Sequence, residues 1–104
     1  MHRWNGSQRI EYTGLESFAE KDKTAVFMIA NRFAVHMNAH VSGGVHLLIH
    51  FGHVQNDSMD LFTVSASAYG DGKELAFACA LAPDSRKALH DALTDLAHGL
   101  PVFA

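Results

Sequence analysis

The chain has 104 residues, 48% of them hydrophobic and 18% charged, and carries a net charge of −3. Those proportions exclude a disordered tail and suit a single compact domain with a small core. The basic residues (Arg3, Arg9, Lys21, Lys23, Arg32, Lys73, Arg86 and Lys87) are scattered along an acidic chain, which argues against a surface built to neutralise nucleic-acid phosphates.

No apolar run approaches the ~18 residues that a membrane helix needs. The opening Met-His-Arg-Trp-Asn-Gly lacks the apolar stretch of a signal peptide. A single cysteine, Cys79, cannot form an intrachain disulfide, and its place in an alternating apolar stretch suggests a small buried hydrophobe. A reducing, cytoplasmic location is the expectation.

In chain order, residues 7–13 (Ser-Gln-Arg-Ile-Glu-Tyr-Thr) suit a short edge strand. Leu15, Phe18, Ala19, Asp22, Ala25 and Val26, with Ser17 as a cap, are spaced as the start of a helix, but residues 24–30 suit a strand equally well, so the compromise expectation is a short helix over 15–22. Thr24 to Ala30 then reads as a strand that turns at Asn31-Arg32. Trp4 and Tyr12 are amphipathic aromatics that either anchor a partner or pack over the edge of the core.

The stretch 33–53 holds the densest pattern in the chain. Phe33, Val35, Met37, Ala39 and Val41 alternate with Ala34, His36, Asn38 and His40, as a half-buried strand would. After Ser42-Gly43-Gly44 the alternation resumes, with Val45, Leu47, Ile49 and Phe51 set against His46, Leu48 and His50. A hairpin in this register brings His36, His40, His46 and His50 onto one face. A helical reading also aligns these histidines, which lie four apart in each pair, with His53 three further on. The β-branched and aromatic residues, the alternation and Gly52 favour strands.

Residues 61–69 and 74–82 alternate as well, separated by Gly70-Asp71-Gly72. A two-residue Asp71-Gly72 turn, whose central positions want positive φ, predicts a second hairpin. Its register puts Phe62, Val64, Ala66 and Ala68 on one face with Leu75, Phe77, Cys79 and Leu81. Finally, Asp84 or Ser85 caps a helix whose stripe is Leu89, Ala92, Leu93, Leu96, Ala97 and Leu100, closed by a left-handed Gly99 and by Pro101. His90 and His98 lie off that stripe. Together these elements predict an α+β domain: an antiparallel sheet of four to five strands, the C-terminal helix on one face, and a short helix near the N-terminus.

Two function classes follow. The first is a small cytoplasmic protein-interaction module, a regulator or inhibitor of the kind mobile elements encode, which acts without catalysis. Its partner-binding face comprises His36, Asn38, His40, Ser65, Ser67 and Tyr69. The sheet edges need covering, so a homodimer is also expected. The second is a divalent-metal domain holding zinc, nickel or copper through His36, His40, His46 and His50, with Asp57 or Asp60 adding charge. No HExxH, paired CxxC or His-x-Glu…Pro-Cys-x-x-Cys motif accompanies those histidines. Four close imidazoles would also repel one another when protonated, predicting stability that is present at higher pH and lost as the pH falls. Ser65, Ser67 and Cys79 have no base and orienting group that the sequence can assign to them.

Overall fold

The computed structural model describes residues 9–41 and 43–100. The elements run β1 (Arg9–Thr13), α1 (Glu20–His40), β2 (His46–Asn56), β3 (Met59–Gly70), β4 (Lys73–Ala82) and α2 (Ser85–His98). The strands form one four-stranded sheet in the order β1-β2-β3-β4. β1 pairs parallel to β2, while the β2–β3 and β3–β4 pairs are antiparallel, so the sheet is mixed rather than wholly antiparallel. The parallel pair is a consequence of α1, because two parallel neighbours need a long crossover between them.

α1 corrects the reading of residues 15–41. In place of a short helix and two strands there is one 21-residue helix. Val26, Ala30, Ala34 and Met37 recur at helical spacing and form its buried stripe. The segment contains Ala25, Ala30, Ala34 and Ala39, and neither glycine nor proline, so nothing in it opposes helix formation. Glu20 and Asp22 in the first turn, and His40 in the last, complement the helix dipole. Its first turn is closed by backbone alone, with Asp22 N–H and Lys23 N–H both donating to the Ala19 carbonyl at 3.0 Å.

α2 follows the sequence expectation closely. Asp84 accepts a hydrogen bond from Arg86 N–H at 3.2 Å, and Leu89, Ala92, Leu93, Leu96, Ala97 and Leu100 are all buried. One detail differs, because Gly99 is right-handed (φ −83°) and its N–H turns back onto the Asp95 and Leu96 carbonyls. Pro101 lies outside the described residues.

Both helices contribute to a single core, joined there by Leu47, Ile49 and Phe51 of β2 and Val64, Ala66 and Ala68 of β3. The helices touch each other through Phe33 and His90, whose rings are 5.5 Å apart, and through Arg86 and Asp22 at 3.5 Å. Among the described residues one face of the sheet is therefore covered, and the other is open.

The β3–β4 hairpin forms at the expected turn, with Asp71 and Gly72 both at positive φ (54° and 76°). Beyond the turn its register differs. Gly70 pairs Lys73 and Tyr69 pairs Glu74, but Ala68 pairs Ala76. A bulge thus takes up Leu75, leaving Leu75 and Ala76 both packed against the core. Every later residue of β4 changes face. Ala76, Ala78, Ala80 and Ala82 point toward the helices, while Phe77, Cys79 and Leu81 point outward, opposite Ser67, Ser65 and Thr63. Alanine belongs on the helix side because α2 lies close there; a Cβ added to Gly99 would be 3.5 Å from that of Ala76. Cys79 is accordingly exposed rather than buried.

Candidate functional site: the open sheet face

The register defines the open face row by row. Arg9, His46, Tyr69 and Glu74 form the first row; Glu11, Leu48, Ser67 and Phe77 the second. Thr13, His50, Ser65 and Cys79 form the third, and Gly52, Thr63 and Leu81 the fourth. The two halves differ chemically. On the β1–β2 side, His46 Nε2 lies 2.8 Å from Glu11 Oε2, and His50 Nδ1 lies 2.6 Å from Thr13 Oγ1. On the β4 side Phe77 and Leu81 stand 58% and 61% exposed, and Leu48 rises between the halves.

Depressions lined by described residues mark the surface, two of them on this face. The larger, about 780 Å³, opens between the α1–β2 connection and the β3–β4 turn, over Arg9, Glu11, His46 and Tyr69. The smaller, about 310 Å³, lies over Thr13, Leu48, His50, Ser65 and Ser67. The α1–β2 connection that borders the larger one is fixed by Asn38, whose Oδ1 accepts from Val45 N–H at 2.6 Å. Gly44 beside it has φ +79°, and a Cβ there would come within 2.9 Å of the same oxygen. Ser42 of this connection lies outside the described residues.

The four-histidine face expected from a 33–51 hairpin is not formed. His36 and His40 occupy α1, their rings 4.9 Å apart, whereas His46 and His50 lie on the open side of β2. Because 33–40 is helical, its alternation no longer selects one face, and the helix packs on the opposite side of the sheet. The mutual repulsion of four imidazoles goes with that arrangement. Asp60 instead meets His53, whose ring stacks on Phe62 with centroids 4.5 Å apart. Among the described residues no group of three or more His, Cys, Asp or Glu side chains is placed to hold a metal ion.

The expected partner-binding face divides in the same way. Ser65, Ser67 and Tyr69 do lie on the open face, but His36 and His40 lie on α1, and Asn38 is a structural ligand of the Val45 backbone. Sequence reasoning missed Leu48, Phe77 and Leu81. Leu48 was visible as the apolar residue between His46 and His50; Phe77 and Leu81 were hidden by the bulge. Tyr12 packs over the core, its ring 5.0 Å from that of Phe27, and burial pushes its phenol up to about 12. Trp4 lies outside the described residues.

The third row places an imidazole and a thiol on one line, but the β3 strand separates His50 from Cys79. Two strand spacings amount to roughly 10 Å, beyond a thiol–imidazole hydrogen bond. The arrangement offers apolar contact along β4, hydroxyls along β3 and a polar border along β1.

No family model matches the chain, and no curated protein does. Among solved structures, the N-terminal domain of Protein Y from Thermus thermophilus superposes with a TM-score of 0.57 and 8% sequence identity, over 93% of this chain and 96% of that domain. At that identity the likeness is one of fold, and the β1-α1-β2-β3-β4-α2 chain described here shares the fold of that domain.

Proposed function

We propose that the protein is a small interaction module that regulates or inhibits a partner protein by holding it on the open sheet face, without a catalytic step. The observation that carries this reading is the composition of that face after the bulge. Phe77, Leu81 and Leu48 supply exposed apolar surface beside Ser65, Ser67 and Tyr69, which can direct hydrogen bonds. Interface centres combine large apolar side chains with a polar surround in this way, and contiguous apolar surface on a small domain marks such sites. The matching partner surface is an apolar ridge flanked by hydrogen-bonding groups. The exposed, unpaired Cys79 fits a reducing cytoplasm.

The test is affinity capture from native lysate with the wild-type chain and with a Leu48→Lys/Ser67→Lys double variant. Both positions face outward, so circular dichroism and melting temperature should stay close to wild type. The variant should lose a protein that the wild type retains, and purified binder should show at least a tenfold weaker affinity. A wild-type chain that retains nothing specific, or a variant that retains the same protein equally, overturns the reading.

A further inference from the structure

Among the described residues the sheet has two edges, β1 and β4, and they are built differently. β1 is five residues long and carries Arg9 and Glu11, so it is short and charged, as protected edges are. β4 is ten residues long, and from Leu75 to Ala82 it reads Leu-Ala-Phe-Ala-Cys-Ala-Leu-Ala, without charge, glycine or proline. Its charges, Lys73 and Glu74, are confined to the turn end, where the bulge also lies. The rest of β4 pairs with β3 without a bulge from Ala76 to Ala82, and among the described residues no strand pairs with its other side. A long, flat, apolar edge of this kind is a template for another strand.

We infer that the strand it takes is β4 of a second copy of this chain, paired antiparallel about a two-fold axis at Cys79. In a symmetric antiparallel pair one residue lies opposite itself, and side chains keep their faces. Centring on Cys79 sets Phe77 opposite the partner's Leu81, Ala76 opposite the partner's Ala82, and Ala78 opposite the partner's Ala80. This register uses the whole bulge-free stretch and leaves Lys73 and Glu74 outside the paired region. Centring on Ala78 would draw Glu74 and the bulge into the ladder. Centring on Phe77 would set Lys73 against Leu81. Centring on Ala80 would shorten the pairing to 78–82.

The match is chemical as well as geometric. Phe77 and Leu81, 58% and 61% exposed, gain an aromatic–aliphatic cross-strand contact on each side of the axis. On the helix side the alanines leave no bulky side chain to obstruct the joining strand. A specific dimer buries roughly 1,000 Å² or more, and one strand pair with four large side chains lies at the low end of that range. A micromolar dissociation constant is the corresponding expectation. The paired sheets would be continuous, with both open faces on the same side; Phe77 and Leu81 are shared with the proposed partner surface, whereas Leu48 and Ser67 lie away from the β4 edge.

Sedimentation velocity over the micromolar to millimolar range tests it, with variants at the axis. The wild-type chain should pass from monomer to a discrete dimer. Cys79→Lys sets two like charges opposite each other at an exposed position and should weaken the dimer at least tenfold with the circular dichroism unchanged. Cys79→Ser should dimerise as wild type, and so should Leu48→Lys/Ser67→Lys, which separates this result from the partner reading. A short bismaleimide should join Cys79 to the partner's Cys79 within the dimer. A chain that stays monomeric, a dimer indifferent to Cys79→Lys, a dimer that does not cross-link, or open-ended aggregation would each overturn the inference.

Discussion

Replacing Gly14 with alanine is expected to be among the most destabilising single changes in the molecule. Gly14 follows β1 at φ +86°, a conformation that costs an L residue about 1–2 kcal/mol. The added Cβ would also lie 2.1 Å from the Phe51 carbonyl oxygen and 3.0 Å from its carbon. Both atoms are backbone in the middle of β2, so no rotamer change relieves the overlap, and the end of β1 must pull away. Gly14→Ala should therefore cost roughly 3 kcal/mol or more, a large part of the ~5–15 kcal/mol that holds a domain of this kind folded. Gly72→Ala is the control. Its φ is +76°, but no atom lies within 4 Å of the added Cβ, so it should cost only about 1–2 kcal/mol. Urea midpoints of the two variants against wild type measure the difference. Since β1 brings Glu11 and Thr13 to His46 and His50, the same glycine underlies the polar half of the open face.

The second large effect separates helix from strand over residues 33–41. A strand would bury Val35 and Met37 together, because they lie two apart. In α1 two residues span about 200° around the helix axis, so the pair faces opposite ways: Met37 is 0% exposed and Val35 is 54% exposed. Met37→Ala should cost about 2–5 kcal/mol through lost burial and the cavity left behind. Val35→Ala should stay within about 0.5 kcal/mol, since it removes surface contact and installs a better helix former. Equal losses at the two positions would return this segment to the sheet.

What could be read from sequence depends on how each element is stabilised. α2 was legible because its cap, its stripe and its buried residues all agree. α1 was not, because Phe27, Met28 and Val35 remain on its surface and blur the stripe that Val26, Ala30, Ala34 and Met37 define. Its second half alternates by coincidence, and the β-branched and aromatic residues there tipped the balance toward a strand. The stronger signal was the run of alanines uninterrupted by glycine or proline. That misreading carried the antiparallel sheet and the four-histidine face with it.

In β4 the turn was legible and the bulge was not. Phe77 and Leu81 look more like core than Ala76, Ala78 and Ala80 do, yet close packing of α2 reserves the helix side for the small residues. Leu75 supplies the extra residue that reconciles the turn with that demand. The open face owes its apolar half to this one insertion.

The alkylation rate of Cys79 therefore tests the account most directly. A register unbroken from the turn would set Cys79 opposite Val64, inside the core, whereas the bulge sets it opposite Ser65 on the open face. With the protein dilute enough to keep chains apart, iodoacetamide should modify native Cys79 at a rate within roughly tenfold of that in the urea-unfolded chain. Protection by several orders of magnitude, released only on unfolding, would place the thiol in the core and contradict both the register and the proposed binding face built on it.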